Sequence, residues 1–195
     1  MLERVTQALR TAQHVTVLTG AGASAESGLL TFRDKQTGLR ARFDPMELAT
    51  PEAFDRDPAT VWSCYEYRCR LVLQAEPNDG RRAIAELERR VPRLTLITMT
   101  VDHLHERAGS DPVVHVHGQL LRSYCSSCRC SHTFPPGLLV EHARIRPPRC
   151  KACGGRVRPG VVMFGDEMPR GSWVLQCRFV ELGFGQQLTV SCGFI

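Results

Sequence analysis

Residues 2–13 follow an amphipathic helical pattern with acid and base interspersed, and the apolar run Val15–Leu18 behind them stops at Thr19. A short apolar run bounded by small residues reads as a buried strand over 14–19. The chain then turns bare, through Gly20, Ala21, Gly22, Ala23, Ser24 and Ala25, before a helix predicted to open within 24–28. Residues 31–45 keep no clean period and carry two turn signals, so they are predicted as a long loop. Two helical stretches follow. Thr50-Pro51-Glu52 supplies a cap and then a proline for the first, Asp57-Pro58 begins the second, and Asn78-Asp79-Gly80 reads as a stop. Residues 80–91 form an amphipathic helix with Ile84 and Leu87 on one face. Residues 93–100 read as a strand, 102–109 as a short helix ended by Gly109, 112–118 as a short strand and 156–169 as a return to apolar strand. Strands alternating with helices in this order predict an open α/β sheet with crossover connections. Between Cys125 and Gly155 the pattern gives way to turns and cysteines, which marks an inserted module. The predicted division is a sheet domain over 1–120 and 156–195, with the module over 121–155.

Composition changes this picture little. With 43% hydrophobic and 23% charged residues among 195, the chain is of ordinary globular type. It holds no apolar run long enough to span a membrane and no signal-peptide pattern, so a cytoplasmic protein without membrane association is expected. The net charge of +5 is carried almost wholly by scattered arginines, Lys35 and Lys151 being the only lysines. A diffuse excess of this kind speaks for solubility rather than for nucleic acid.

Three clusters carry chemistry. Gly20-Ala21-Gly22-Ala23-Ser24-Ala25 after a strand fits G-x-G-x-x-G/A, in which bare backbone and a helix N-terminus approach a pyrophosphate. Of nine cysteines, Cys125-x2-Cys128 and Cys150-x2-Cys153 form two knuckles that complete a closed tetrahedral shell for one structural zinc. Cys130 is a further candidate at a tighter spacing. The histidines His103, His105, His115 and His117 allow either a hydrolytic metal site with Asp102 or a single general base. The first pair sits about 200° apart around a helix axis and cannot face one ion. His115 and His117 share a strand face without a third ligand, which favours one base at a strand end.

The stretches "GAGASAESGLLTFRD", "DHLHERAG", "HVHG" before the four-cysteine module, and "RPGVVMFG" come in the order of the sirtuin family, which residues 1–169 resemble. The resemblance implies a Rossmann-like domain with an inserted zinc-ribbon domain and NAD as a consumed co-substrate. It implies acylated-lysine proteins or peptides as partners, their acyl group passing to ADP-ribose as nicotinamide leaves. Carried over by position, His117 is the catalytic base and Gly20, Ala21, Gly22 and Ser24 line the phosphates. Phe32 and Arg33 sit on the loop that closes over NAD, and Asp102 shapes the nicotinamide pocket. "VWSCYEYRCR" resembles the subgroup that removes succinyl and malonyl groups, with Tyr65 and Arg68 holding the distal carboxylate. Their i, i+3 spacing puts both on one helix face, and guanidinium with phenol suits a carboxylate.

Met99 and Thr100 stand where the family has Gln and Asn, and "RGSWVLQCRFVELGFGQQLTVSCGFI" has neither the family's "GTS" strand nor its adenine-binding turn. The sheet is therefore expected to lack two or three strands and to expose an apolar edge, its tail over 170–195 arising from a frameshift, alternative splice or decayed gene. A second class of function follows from the same departures: an acyl-peptide-binding or interaction module without turnover.

Overall fold

The computed structural model describes residues 2–29, 48–133, 144–168 and 187–192, of which Leu2 and 187–192 are described by backbone alone. β1 (His14–Thr19) is the strand that the apolar run foretells. It is flanked in parallel by β2 (Leu94–Thr98), in register from Val15 opposite Leu94 to Thr19 opposite Thr98. β3 (Val113–His115) lies parallel on the far side of β2. Parallel neighbours require crossovers. α4 (Asp79–Arg90) leads into β2, and α5 (Leu104–Ala108) links β2 to β3.

On the other side of β1 runs β7 (Gln187–Cys192), also parallel, giving the order β3-β2-β1-β7. β1 therefore has a strand on each side, and β7 stands last in the sheet among the described residues. The run "QLTVSC" alternates β-prone and polar residues, and its backbone takes up the hydrogen bonds that the edge offers.

Ala12, Val15, Val17 and Leu96 form the core below this sheet, with Leu9 of α1 (Leu2–Thr11) and Ile84 and Leu87 of α4 packed on it. Ile84 and Leu87 face inward as their spacing requires. No helix among the described residues is long and apolar enough to cross a membrane.

The chain divides into two compact units. The first holds this sheet, and the second gathers the described residues among 32–75 and 117–167. The unit around the four cysteines thus extends beyond 121–155. It includes α2 (Pro51–Arg56), capped by Thr50, and α3 (Pro58–Gln74), capped by Asp57. It also includes an antiparallel sheet in the order β5-β4-β6, built from β4 (Gly118–Cys125), β5 (Ser131–Thr133) and β6 (Val157–Val161). Trp62, Tyr65, Cys69, Leu120 and Val157 are buried there. They supply apolar burial that a cysteine-rich stretch of about 30 residues lacks by itself.

Three local expectations are corrected. Asn78-Asp79-Gly80 does not only end a helix: Asn78 accepts the Arg81 N–H at 3.1 Å and caps α4. The bare stretch after β1 forms a 3-10 helix over Ala21–Ser27 rather than an α-helix from Ser24. The strand expected over 112–118 ends at His115, because Val116 and His117 form a turn and Gly118 leaves it at φ 75°. A Cβ there would also collide with the Gly160 carbonyl, so the turn tolerates only glycine. His115 and His117 consequently do not share a strand face.

Candidate functional site

The glycine-rich turn is bound to the rest of its unit by a buried polar cluster. Gly20 caps the 3-10 helix with extended backbone and no side-chain bond. The first N–H groups of that helix therefore have no capping side chain, which suits an anionic group such as a phosphate. Ser24 does not point its hydroxyl outward: it donates to Asp102 Oδ2 at 2.7 Å and accepts from Arg81 Nη2 at 2.7 Å. Arg81, 1% exposed, also donates to Asp102 Oδ1 at 2.7 Å and, through Nε, to the Ala23 carbonyl at 3.2 Å. Asn78 Nδ2 donates to the same carbonyl at 2.9 Å and to Ser27 Oγ at 3.1 Å. Asp102 further accepts the Leu104 N–H at 3.0 Å. Burial pushes the Asp102 carboxyl pKa up, but the Arg81 charge, Ser24 and Leu104 together outweigh it and hold the group below its ordinary range.

Arg81 carries no sequence motif. The one signal that could have found it is its place in the first turn after an Asn cap, where a buried arginine faces whatever adjoins the helix start.

Two histidines of this unit go separate ways. His105 is buried against Thr19, with Nε2 at 2.9 Å from Thr19 Oγ1, and burial pushes its pKa down to about 4. His115 Nε2 lies 2.6 Å from Glu106 Oε1. Among the described residues no group of three or more His, Cys, Asp or Glu side chains can hold one ion except the four cysteines.

In the second unit, Tyr65 and Arg68 lie on one face of α3, the guanidinium carbon 5.4 Å from the ring centre. Tyr65 is only 3% exposed, and its hydroxyl finds no hydrogen-bond partner among the described residues. Burial, opposed by Arg68, lifts its pKa to about 12. His117 sits in the turn before β4, its carbonyl accepting the Val162 N–H at 2.9 Å. Tyr124 is flanked by Arg129 at 4.3 Å and Arg158 at 5.4 Å, and Arg158 is paired with Asp166 at 2.6 Å. Phe32 and Arg33 lie outside the described residues.

Cys125, Cys128, Cys150 and Cys153 converge, all four sulfurs lying within 4.8 Å of one another. Cys125 to Cys153 is 3.4 Å and Cys128 to Cys150 is 3.6 Å. A zinc ion at about 2.3 Å from each thiolate needs sulfurs about 3.8 Å apart, so the four fit a structural zinc site with no open position. The N–H groups of Cys128 and Ser127 point at Cys125 Sγ and lower its pKa, and that of Ala152 leads in bringing Cys150 down to about 6. Both effects favour the thiolate. Gly155 is required here, since a Cβ would come within 2.8 Å of Cys125 Sγ. Cys130 stays outside the four and contributes its carbonyl to the Cys125 N–H.

Residues 20–179 match the profile of the Sir2 family. The chain is 51% identical over 168 residues to the NAD-dependent protein deacylase of Methylococcus capsulatus, covering 85% of this chain and 66% of that protein. It is 49% identical over 174 residues to NAD-dependent protein deacylase 1 of Pseudomonas aeruginosa, covering 88% and 70%. A solved Sir2 homologue–NAD complex superposes with a TM-score of 0.80 at 42% identity, over 92% of this chain and 68% of that one. A Sir2 protein bound to a propionylated peptide superposes with a TM-score of 0.72 at 26% identity, over 89% and 68%. The chain thus spans 66–70% of the length of these two curated relatives.

Proposed function

From the premise that this chain belongs to the Sir2 family, we propose that it removes acyl groups from protein lysines with NAD as co-substrate, and that it favours succinyl and malonyl groups. Bound NAD supplies a ribose carbon that accepts the acyl oxygen as nicotinamide departs. The chain's own residues do the rest. The backbone of Gly20, Ala21 and Gly22 receives the phosphates, with Ser24 acting from below. The Ser24 hydroxyl is committed to Asp102 and Arg81 and so braces the turn. Asp102 serves the nicotinamide end through its hold on the Leu104 N–H and that turn. His117 takes the proton of a ribose hydroxyl, and Phe32 and Arg33 close over the co-substrate. The four cysteines hold one zinc ion structurally, which suits a reducing compartment such as the cytoplasm.

One observation supports the acidic-acyl reading above the others. Tyr65 is buried on the same face of α3 as Arg68, with the guanidinium carbon 5.4 Å from its ring centre, and a phenol beside a guanidinium is a pair that suits a carboxylate. The test compares kcat/KM for succinyl-lysine and acetyl-lysine peptides in the wild type and Arg68→Met. A preference for succinyl that collapses in the variant supports the reading. Equal use of both peptides by the wild type overturns it.

A further inference from the structure

The two cysteine knuckles close alike and are filled differently. In the first, the Arg129 N–H donates to the Cys125 carbonyl at 3.0 Å; in the second, the Gly154 N–H donates to the Cys150 carbonyl at 2.8 Å. Each donor directly follows the knuckle's second cysteine and lies in the left-handed region, Gly154 at φ 72° and Arg129 at φ 63°. Glycine takes this conformation freely, whereas a residue with a Cβ takes it at a cost. Arg129 is the one described residue other than glycine with a positive φ. The first knuckle thus keeps an arginine where its own turn favours glycine, and that side chain is exposed.

A second placement nearby is also unfavourable by itself. Arg149 and Arg156 face each other as antiparallel bridge partners, and like charges directly opposite repel. Cys128 Sγ and Cys150 Sγ lie 3.6 Å apart. That contact brings Arg129, next to Cys128, close to Arg149 and Lys151, which flank Cys150. All three are exposed and make no ion pair among the described residues. Arg156 reaches only the exposed Asp55, at 3.6 Å. Described residues 117–133 and 144–165 together carry eight Arg and Lys side chains and no Asp or Glu. Four thiolates around a zinc dication leave a formal charge of roughly −2, well short of that excess.

We propose that this cationic surface around the knuckles, with Arg129, Arg149, Lys151 and Arg156 at its centre, docks an acidic peptide segment of a partner protein. A run of carboxylates relieves the repulsion between Arg149 and Arg156 and gives Arg129 and Lys151 the counter-charge they lack. Guanidinium forks match carboxylates with two parallel bonds, which suits a surface made mostly of arginine. Single-stranded nucleic acid asks in addition for an aromatic platform on which bases stack. The aromatic ring beside these cations is Tyr124, and it is already held by Arg129 at 4.3 Å and Arg158 at 5.4 Å. Docking of this kind needs neither NAD nor an acyl group, so it stands apart from the deacylase reading.

The experiment is fluorescence anisotropy of a labelled, unacylated glutamate-rich peptide titrated with the zinc-loaded full chain. The same peptide with glutamine for every glutamate, a single-stranded DNA and a duplex DNA are titrated beside it. The wild type is compared with Arg129→Gly, Arg149→Gln/Lys151→Gln and Arg149→Glu/Lys151→Glu, each checked for zinc content and a cooperative melt. The wild type binds the glutamate-rich peptide at least about tenfold more tightly than its glutamine version, and the difference shrinks as salt rises. Arg129→Gly gives the first knuckle the residue that the second already has, so zinc and fold are kept while affinity falls. The loss is about two- to fivefold for each cation removed, and larger for the charge-reversed pair. If the reversed pair loses zinc, Arg129→Gly and the glutamine pair decide alone. A wild type that does not distinguish the two peptides overturns the proposal, and so does wild-type affinity in both Arg129→Gly and the glutamine pair. Tighter binding of either DNA than of the acidic peptide overturns it as well and assigns the surface to nucleic acid.

Discussion

Removing the Arg81 guanidinium while keeping its bulk, as in Arg81→Met, tests what holds the glycine-rich turn. Arg81 is 1% exposed and Asp102 5%, so the pair is out of water. Such a pair adds little over a well-packed apolar replacement, but breaking it from one side leaves a buried charge uncompensated, at about 3–5 kcal/mol. Ser24 Oγ and the Ala23 carbonyl lose donors as well. Against a total stability of about 5–15 kcal/mol, this is a large share.

Urea denaturation followed by circular dichroism reads the loss, and its pH dependence reads the cause. In the wild type the folded Asp102 pKa lies below its ordinary 3.8. Its contribution is complete above 3.8 and is lost as pH falls through the lower folded value, so stability rises with pH in the acid range. Without Arg81, burial dominates and lifts the folded pKa above 3.8. Asp102 then favours the folded state only when protonated, and its contribution falls as pH rises. Arg81→Met/Asp102→Asn removes both charges and recovers part of the loss. A loss under about 1 kcal/mol in Arg81→Met, or an Asp102 contribution that keeps its wild-type pH slope, would refute the reasoning.

Chelation of zinc, or Cys153→Ser, removes the single ion and unfolds the second unit, since such sites carry roughly 10–16 kcal/mol of folding free energy in model peptides; metal analysis beside circular dichroism checks it. Tyr65→Phe and Arg68→Met each lower kcat/KM for succinyl-lysine peptides by about 10- to 150-fold, the span of one hydrogen bond to a charge, and leave acetyl-lysine turnover near the wild-type value. Asn78→Ala removes the α4 cap and two bonds to the 3-10 helix; a denaturation midpoint lowered by more than the usual cap loss of about 1 kcal/mol is expected.

Features written in neighbouring residues were legible in the sequence. β1 follows from one apolar run, the α2 and α3 caps from Thr50-Pro51 and Asp57-Pro58, and the zinc site from two knuckles. What spacing could not give are contacts between residues far apart in the sequence. Arg81 meets Ser24 across 57 positions, Thr19 meets Thr98 across 79, and His105 meets Thr19 across 86. The register of β1 on β2 sets Thr19 opposite Thr98, and no local pattern encodes it. β4 escaped notice because "GQLLRSYC" lies half in what reads as a cysteine-rich turn region. β7 escaped because its tail carries none of the family's motifs, although its backbone needs only β-prone residues to pair with β1.

The most direct measurement of the central claim is mass spectrometry of a succinyl-lysine peptide incubated with zinc-loaded protein, with and without NAD, beside His117→Ala. The peptide is expected to lose its succinyl group only with NAD and only in the wild type, one nicotinamide appearing for each group lost. An unchanged peptide with folded, zinc-loaded wild type, or equal loss in His117→Ala, contradicts it.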